Sequence, residues 1–211
     1  MKRISLVQEA HAIVRQYLQP GHNAIDATVG NGHDTLFLAQ QVGPKGHVYG
    51  FDIQPQALAS ARLKLNQHNL DARVTLINES HARLAELVPQ HAHARIQAVM
   101  FNLGFLPGSD KTVITQTEST LAALNAALRV LAFPGIITLI AYPGHVGGAE
   151  EACKVETWCG QQYLQRFSLR RIDSVQADSA SPRLFVIEKT RELNAAAQVR
   201  TEMTWRAGKF R

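Results

Sequence analysis

Cysteine is nearly absent from this sequence: Cys153 and Cys159 are the only two in 211 residues. Two are too few for a disulfide framework, and no further cysteine completes a metal pair, so a reduced, cytoplasmic setting is expected. Long apolar runs are missing as well. No stretch reaches the length of a membrane span. The start, MKRISLVQEAHAIVRQYLQ, alternates apolar with charged residues where a secretory signal would be unbroken. There is no internal repeat and no low-complexity tract, which leaves no sign of a solenoid or a linker. What is present is 45% hydrophobic residues, a composition suited to one globular domain with a sizeable core. The net charge of +5 permits an anionic partner such as RNA without demanding one, since many enzymes are mildly basic.

The pattern along the chain alternates strands with helices. Leu6 to Leu18 reads as an amphipathic helix stopped by PGH at Pro20 to His22. NAIDAT is a strand, and DTLFLAQQV a helix that GPKG ends. HVYGFDI is a second strand, followed by a helix with Pro55 in its first turn. RVTLIN and IQAVMFNL read as strands buried on both faces, with a short helix near Ala82 to Val88 between them. A helix from about Val113 to Leu131 leads to a fifth strand, GIITLIAY, and then to a helix through AEEACKVETWCGQQ. FSLRRIDSV and RLFVIEKT then pair as a closing, hairpin-like edge. The expectation is an α/β fold: one Rossmann-like, doubly wound, mainly parallel sheet of seven strands with an antiparallel edge. It spans residues 1–190, with a charged tail over 191–211.

The chemistry starts at IDATVGNGHDTLFLAQ, Ile25 to Gln40, where a strand ends in an acid and two glycines precede a helix. Glycine at such a turn lets the backbone approach a ligand and adopt positive φ, and in a doubly wound sheet the turn lies at the cofactor crevice. A lone Gly-x-Gly is equally a tight turn. The second strand adds weight, because it ends in Asp52, at the position that commonly grips ribose hydroxyls. A dinucleotide fingerprint would need a third glycine three residues after Gly32, where Thr35 stands, and Asp34 would repel a pyrophosphate at that helix start. An S-adenosylmethionine site suits better. Its ammonium and sulfonium are positive, so Asp26 can attract them while Gly30 and Gly32 make room for the amino-acid tail. The usual acid-x-Gly-x-Gly-x-Gly pattern here reads Asp26-Ala-Thr28-Val-Gly30-Asn31-Gly32, with Thr28 in place of the first glycine.

A second signal follows the fourth strand, in FNLGFLPGSDK. Asn102 offers a carbonyl acceptor that binds an amine's N–H groups and aims its lone pair. Its Asn-x-Gly-aromatic pattern resembles the Asn-Pro-Pro-aromatic loop of amino-group methyltransferases, although Asn102 would equally cap a turn. AYPGHVGGAEE brings Tyr142 and His145 to the same edge: Tyr142 to stack on or hydrogen-bond a substrate, His145 as a proton acceptor or simply a loop histidine. His91 and His93 lack further ligands at metal spacing, so no metal site is expected. Arg170 and Arg171 read as solvated strand charges.

DATVGNGHDTLFLA, GFDIQ, FNLGFLPGSDK, and YPGH followed by GGAEE, with LFVIEK near the end, together resemble one small family of class I methyltransferases. It is labelled "putative rRNA methylase", and its characterised members methylate the wobble uridine of tRNA, converting a 5-aminomethyl group to 5-methylaminomethyl. The match runs in order from Ile25 to Lys189. Phe105 stands where the family usually has tyrosine and Ser109 where it has glycine. Pro143 replaces a histidine, and Arg183 stands where a proline is common. The resemblance implies S-adenosyl-L-methionine as cofactor, a tRNA anticodon stem-loop as partner and a homodimer. The candidate cofactor residues are Asp26, Thr28, Gly30, Asn31, Gly32, Asp34 and Thr35 at the first turn, and Asp52 and Gln54 after the second strand. Ser80 and His81 after the third, with Asn102 and Gly104 after the fourth, complete them; the candidate catalytic residues are Asn102, Tyr142 and His145.

A primary alkyl amine attacks directly once neutral, which agrees with the lack of cysteine in either candidate loop. Three rivals share parts of this pattern. They are a methyltransferase acting on rRNA or a small-molecule amine, an NAD-binding oxidoreductase, and a non-catalytic RNA-binding module.

Overall fold

Ser5 and Gln8 cap each other at the start of helix α1 (Leu6–Tyr17). The Ser5 hydroxyl accepts from the Gln8 N–H at 3.2 Å, and the Gln8 side chain accepts from the Ser5 N–H at 2.9 Å. The computed structural model of the chain describes residues 5–104, 115–144, 147–162, 167–174 and 178–189. After α1 come strand β1 (Asn23–Asp26), helix α2 (His33–Gln41), strand β2 (His47–Phe51), helix α3 (Pro55–Gln67) and strand β3 (Val74–Ile77). Then follow a short helix α4 (Leu84–Leu87), strand β4 (Ile96–Asn102), helix α5 (Thr117–Val130), strand β5 (Leu131–Ala141), helix α6 (Gly148–Gln162), and strands β6 (Phe167–Asp173) and β7 (Arg183–Lys189).

The strands form one sheet in the order β3-β2-β1-β4-β5-β7-β6. β1 to β5 are parallel, and β7 runs antiparallel to both β5 and β6. This is the expected mainly parallel, seven-stranded sheet with an antiparallel edge. Alternate residues of the central strands feed two cores. Ala98, Met100 and Ile140 meet Ala10, Val14, Phe37 and Leu38 of α1 and α2 on one face. Val99, Phe101 and Leu139 meet Leu124, Val130, Val155 and Trp158 of α5 and α6 on the other. Among the described residues no helix is long and apolar enough to cross a membrane.

Two details depart from the sequence pattern, the starts of β5 and α5. β6 and β7 pair antiparallel as expected. β7 lies inside the sheet and β6 forms the edge, with Leu184 to Ile187 all buried, as an inner strand requires, whereas β6 exposes Arg170 and Arg171. Arg171 pairs with Glu156 and Asp173 in this solvated edge. β5 starts at Leu131, directly after α5, because the chain leaves the helix in extended conformation there, and its pairing with β4 shifts register between Ile96 and Ala98. α5 begins at Thr117, while 113–114 and the tail over 191–211 lie outside the described residues.

The order reverses between β1 and β4, with β2 and β3 to one side and β5 to the other. Ligands of such sheets bind at the carboxyl ends of the strands beside this reversal.

Candidate functional site

The turn after β1 is built by buried carboxylate chemistry. Asp26 is fully buried. It accepts from the Thr28 N–H at 3.1 Å and from the Thr35 hydroxyl at 2.5 Å, tying the loop to the first turn of α2. Burial, then the charge of nearby Asp34, push the Asp26 carboxyl up to about 7, against these two hydrogen bonds, which favour the anion. Gly30 and Gly32 both have positive φ, 49° and 74°. A Cβ on Gly32 would lie 2.7 Å from Ala61 Cα, so this glycine admits the close approach of α3 to α2.

Two further bonds join this loop to its neighbours. Asp52, after β2, accepts from the Gly30 N–H and from the Gln54 N–H, each at 2.9 Å. Thr28, in the place of a glycine, accepts from the Asn102 N–H at 2.7 Å and so locks the end of β4 to the loop. The ends of β1, β2 and β4 are thus fixed against one another by side chains.

Between them lies a cavity of about 370 Å³, within the range of small-molecule sites. Its wall includes Thr28, Gly30, Asn31, Asp34, Asp52 and Gln54. Ser80, His81, Asn102, Gly104 and Tyr142 complete the candidates that the fold brings together there. Asp26, Gly32 and Thr35 stand behind the loop and do not line the cavity. His145 lies outside the described residues.

The cavity is acidic. Asp34, Asp52 and Glu79 line it, and no lysine or arginine does so among the described residues. A pyrophosphate would meet three carboxylates, whereas a cation is favoured. The polar wall also offers an acceptor. His81 donates from Nδ1 to the Ala27 carbonyl at 3.0 Å, and its buried Nε2 has no partner among the described residues. Burial holds its pKa down, so the ring stays neutral and Nε2 carries a lone pair that a ligand N–H would satisfy. Burial, then the Asp34 charge, raise the pKa of Tyr142, which therefore keeps its phenolic proton.

At the far edge, Asn102 donates from Nδ2 to Asp34 Oδ2 at 3.5 Å, and Asp34 Oδ1 contacts His11 Nε2 at 2.6 Å. Gly104 and Thr115 are joined by two bonds of 3.0 Å, Gly104 N–H to the Thr115 hydroxyl and Thr115 N–H to the Gly104 carbonyl. Buried Glu151 of α6 then accepts from the Thr115 hydroxyl at 2.9 Å and the Thr120 hydroxyl at 2.7 Å. Sequence reasoning missed His11, Glu79 and this role of Glu151. The GGAEE motif was the one signal for Glu151, and it carried no role. Among the described residues there is no group of three or more His, Cys, Asp or Glu side chains able to hold a metal ion.

A family described as "Putative rRNA methylase" matches residues 48–188. The tRNA (mnm(5)s(2)U34)-methyltransferase, chloroplastic, of Arabidopsis thaliana is 42% identical over 164 residues, which cover 74% of this chain and 59% of that protein. The chain therefore spans about three fifths of that relative's length. The crystal structure of a "putative rRNA-methylase" from Clostridium thermocellum is 37% identical with a TM-score of 0.84, covering 90% of this chain and 100% of that one. A "putative methyltransferase" from Streptococcus mutans, crystallised in complex with SAH, is 33% identical with a TM-score of 0.78, covering 89% and 99%.

Proposed function

The chain belongs to the family described as "putative rRNA methylase", and from that premise we propose that it is an S-adenosylmethionine-dependent tRNA methyltransferase. Its substrate is the 5-aminomethyl group of the wobble uridine, and its product the 5-methylaminomethyl group. The observation that carries this reading is a single acidic cavity running from Asp52, beside the glycine turn, to Asn102 and Tyr142 at the opposite edge. The relative from Arabidopsis thaliana, whose name specifies that wobble position, and the SAH complex of the Streptococcus mutans protein support it.

The residues present fit the cofactor. Asp52 has lone pairs beyond its two backbone contacts and would take the ribose hydroxyls. The orphaned His81 Nε2 would accept from the adenine amine, and Asp34 would face the positive amino-acid end. When bound, S-adenosylmethionine supplies an electrophilic methyl group on a sulfonium. Thr28, Gly30, Asn31, Gln54, Ser80 and Gly104 would shape the rest of its pocket, with Asp26, Gly32 and Thr35 supporting the loop from behind.

The substrate arrives mostly as an ammonium, which an acidic cavity attracts. It must lose a proton before its nitrogen has a lone pair. Asn102 Oδ1 then accepts an amine N–H and aims that lone pair, and Tyr142 contributes a phenol and a ring face. Positioning of this kind is worth up to ~7–11 kcal/mol in well-oriented reactions. His145, three residues after Tyr142 in the sequence, is the proposed proton acceptor. The same reading makes this an RNA-binding enzyme of the cytoplasm, one domain over residues 1–190, acting as a homodimer. The net charge of +5 supports the RNA contact.

Mass spectrometry of tRNA nucleosides from cells lacking the protein tests the reading. Accumulation of 5-aminomethyl-uridine forms with loss of 5-methylaminomethyl forms is expected. Unchanged nucleosides would overturn it.

A further inference from the structure

Helix α1 looks like a packing element, yet it reaches the cavity through one side chain. His11 Nε2 lies 2.6 Å from Asp34 Oδ1, and both side chains are largely buried. A contact this short between a ring nitrogen and a carboxylate oxygen contains a proton, so the imidazole N–H donates to the carboxylate. The ring is itself held. It stacks on Phe37, one turn further along α2, at 3.8 Å between centroids and 5° between planes. The Arg15 guanidinium lies 5.0 Å from the same Phe37 ring.

Asp34 in turn faces Asn102. Its second oxygen lies 3.5 Å from Asn102 Nδ2. A carboxamide beside a carboxylate turns its NH₂ toward the anion, because the opposite orientation would set two acceptors against each other. With the nitrogen toward Asp34 and the main-chain N–H fixed on Thr28, the Asn102 carbonyl is left for the cavity that Asn102 lines.

We propose that His11 is a positioning residue: by holding Asp34 it fixes the Asn102 amide with its carbonyl presented to the substrate. A carbonyl there accepts an amine N–H and leaves the lone pair free to attack, whereas a flipped amide would donate its own N–H to that lone pair. The proposal rests on the reading that Asn102 meets the substrate amine. It gives the conversation between α1, α2 and β4 a chemical purpose beyond packing. Loss of the His11 donor frees the Asp34 carboxylate to turn, and the Asn102 amide then loses its preferred orientation.

Two substitutions separate positioning from mere packing. His11→Phe keeps the stack on Phe37 and removes the donor; His11→Gln keeps a donor N–H. In protein labelled with ¹⁵N-asparagine, the Asn102 side-chain amide signals are identified by their loss in Asn102→Ala. They are expected to shift toward free-amide positions in His11→Phe and to return toward parental positions in His11→Gln. Single-turnover methyl transfer to tRNA carrying the amine is expected to fall about 10–100-fold in His11→Phe and to recover in His11→Gln. S-adenosylhomocysteine affinity should fall less than the rate in His11→Phe, where Asp34 is freed, and stay within about twofold of the parent in His11→Gln. Unchanged Asn102 signals in His11→Phe would overturn the proposal, as would equal losses of rate and cofactor affinity in both variants. A parent protein inactive on the amine would instead overturn the functional reading. The amide signals distinguish the two failures, since they are read without substrate.

Discussion

Asp52 Oδ2 accepts from the Gly30 N–H at 2.9 Å, so the acid that ends the second strand's turn also holds the glycine turn of the first. Its other oxygen accepts from the Gln54 N–H at 2.9 Å. The two loops are therefore set before any ligand arrives, and the carboxylate keeps lone pairs for hydroxyl groups. Asp52→Ala is expected to weaken S-adenosylhomocysteine binding by ~1.5–3 kcal/mol, the worth of charge-assisted hydrogen bonds. Calorimetry on the folded variant measures it, and unchanged affinity would reduce Asp52 to loop support.

Asp26 gives the fold a pH signature. Burial, then Asp34, push its carboxyl up to about 7, from an unfolded value of about 4. Between those values the folded chain holds a proton that the unfolded chain has released. The contribution of this group is thus complete below about pH 4 and is lost as pH rises to about 7. Asp26→Asn keeps the shape and removes the titration. Across that window the parent should lose stability relative to the variant by up to about 1.4 kcal/mol per pH unit. Denaturant unfolding of both proteins shows this, and parallel pH profiles would contradict it.

Gly32→Ala should destabilise the fold by about 2–4 kcal/mol, from positive φ and from overlap with α3. The added Cβ would sit 2.7 Å from both Ala61 Cα and Ala61 Cβ, at φ 74°. Ala61→Gly in the same chain relieves only the side-chain half of that overlap, so partial recovery is expected. The denaturation midpoint reads both effects. A neutral Gly32→Ala would mean that α2 and α3 separate easily here.

Asn102→Ala should leave S-adenosylmethionine binding near the parental value while methyl transfer slows by ~2–4 kcal/mol of transition-state stabilisation. Asn102→Asp keeps an acceptor but adds a charge that holds the substrate as ammonium. It should be impaired too and recover partly at higher pH. Single-turnover rates across pH decide this. Parental rates in Asn102→Ala would reassign the end of β4 to turning the chain.

Much of the fold could be read in the sequence because buried parallel strands such as IQAVMFNL leave mostly apolar runs between helical periods. The glycine turn and Asp52 were legible because they sit at fixed places after strands. What stayed hidden depends on contacts between distant segments. Asp26 and Gly32 carry the site's signature, but both stand behind the loop, on Thr35 and Ala61 respectively. His11 is 23 residues from Asp34 on a helix whose pattern says only amphipathic. Glu151 closes on Thr115 and Thr120 across more than thirty positions. The place of β7 between β5 and β6 follows from four consecutive buried residues, which the hairpin-like spacing alone does not reveal.

The proposed methyl transfer to an amine on the wobble uridine is read out by following the label. Purified protein is mixed in excess with methyl-labelled S-adenosylmethionine and tRNA carrying 5-aminomethyl-uridine at the wobble position, and the nucleosides are then separated. The expected result is one labelled methyl per tRNA, found as the 5-methylaminomethyl nucleoside and absent from tRNA lacking the amine. Label entering rRNA or a free small-molecule amine while this tRNA stays unmodified would rule out the wobble uridine as substrate.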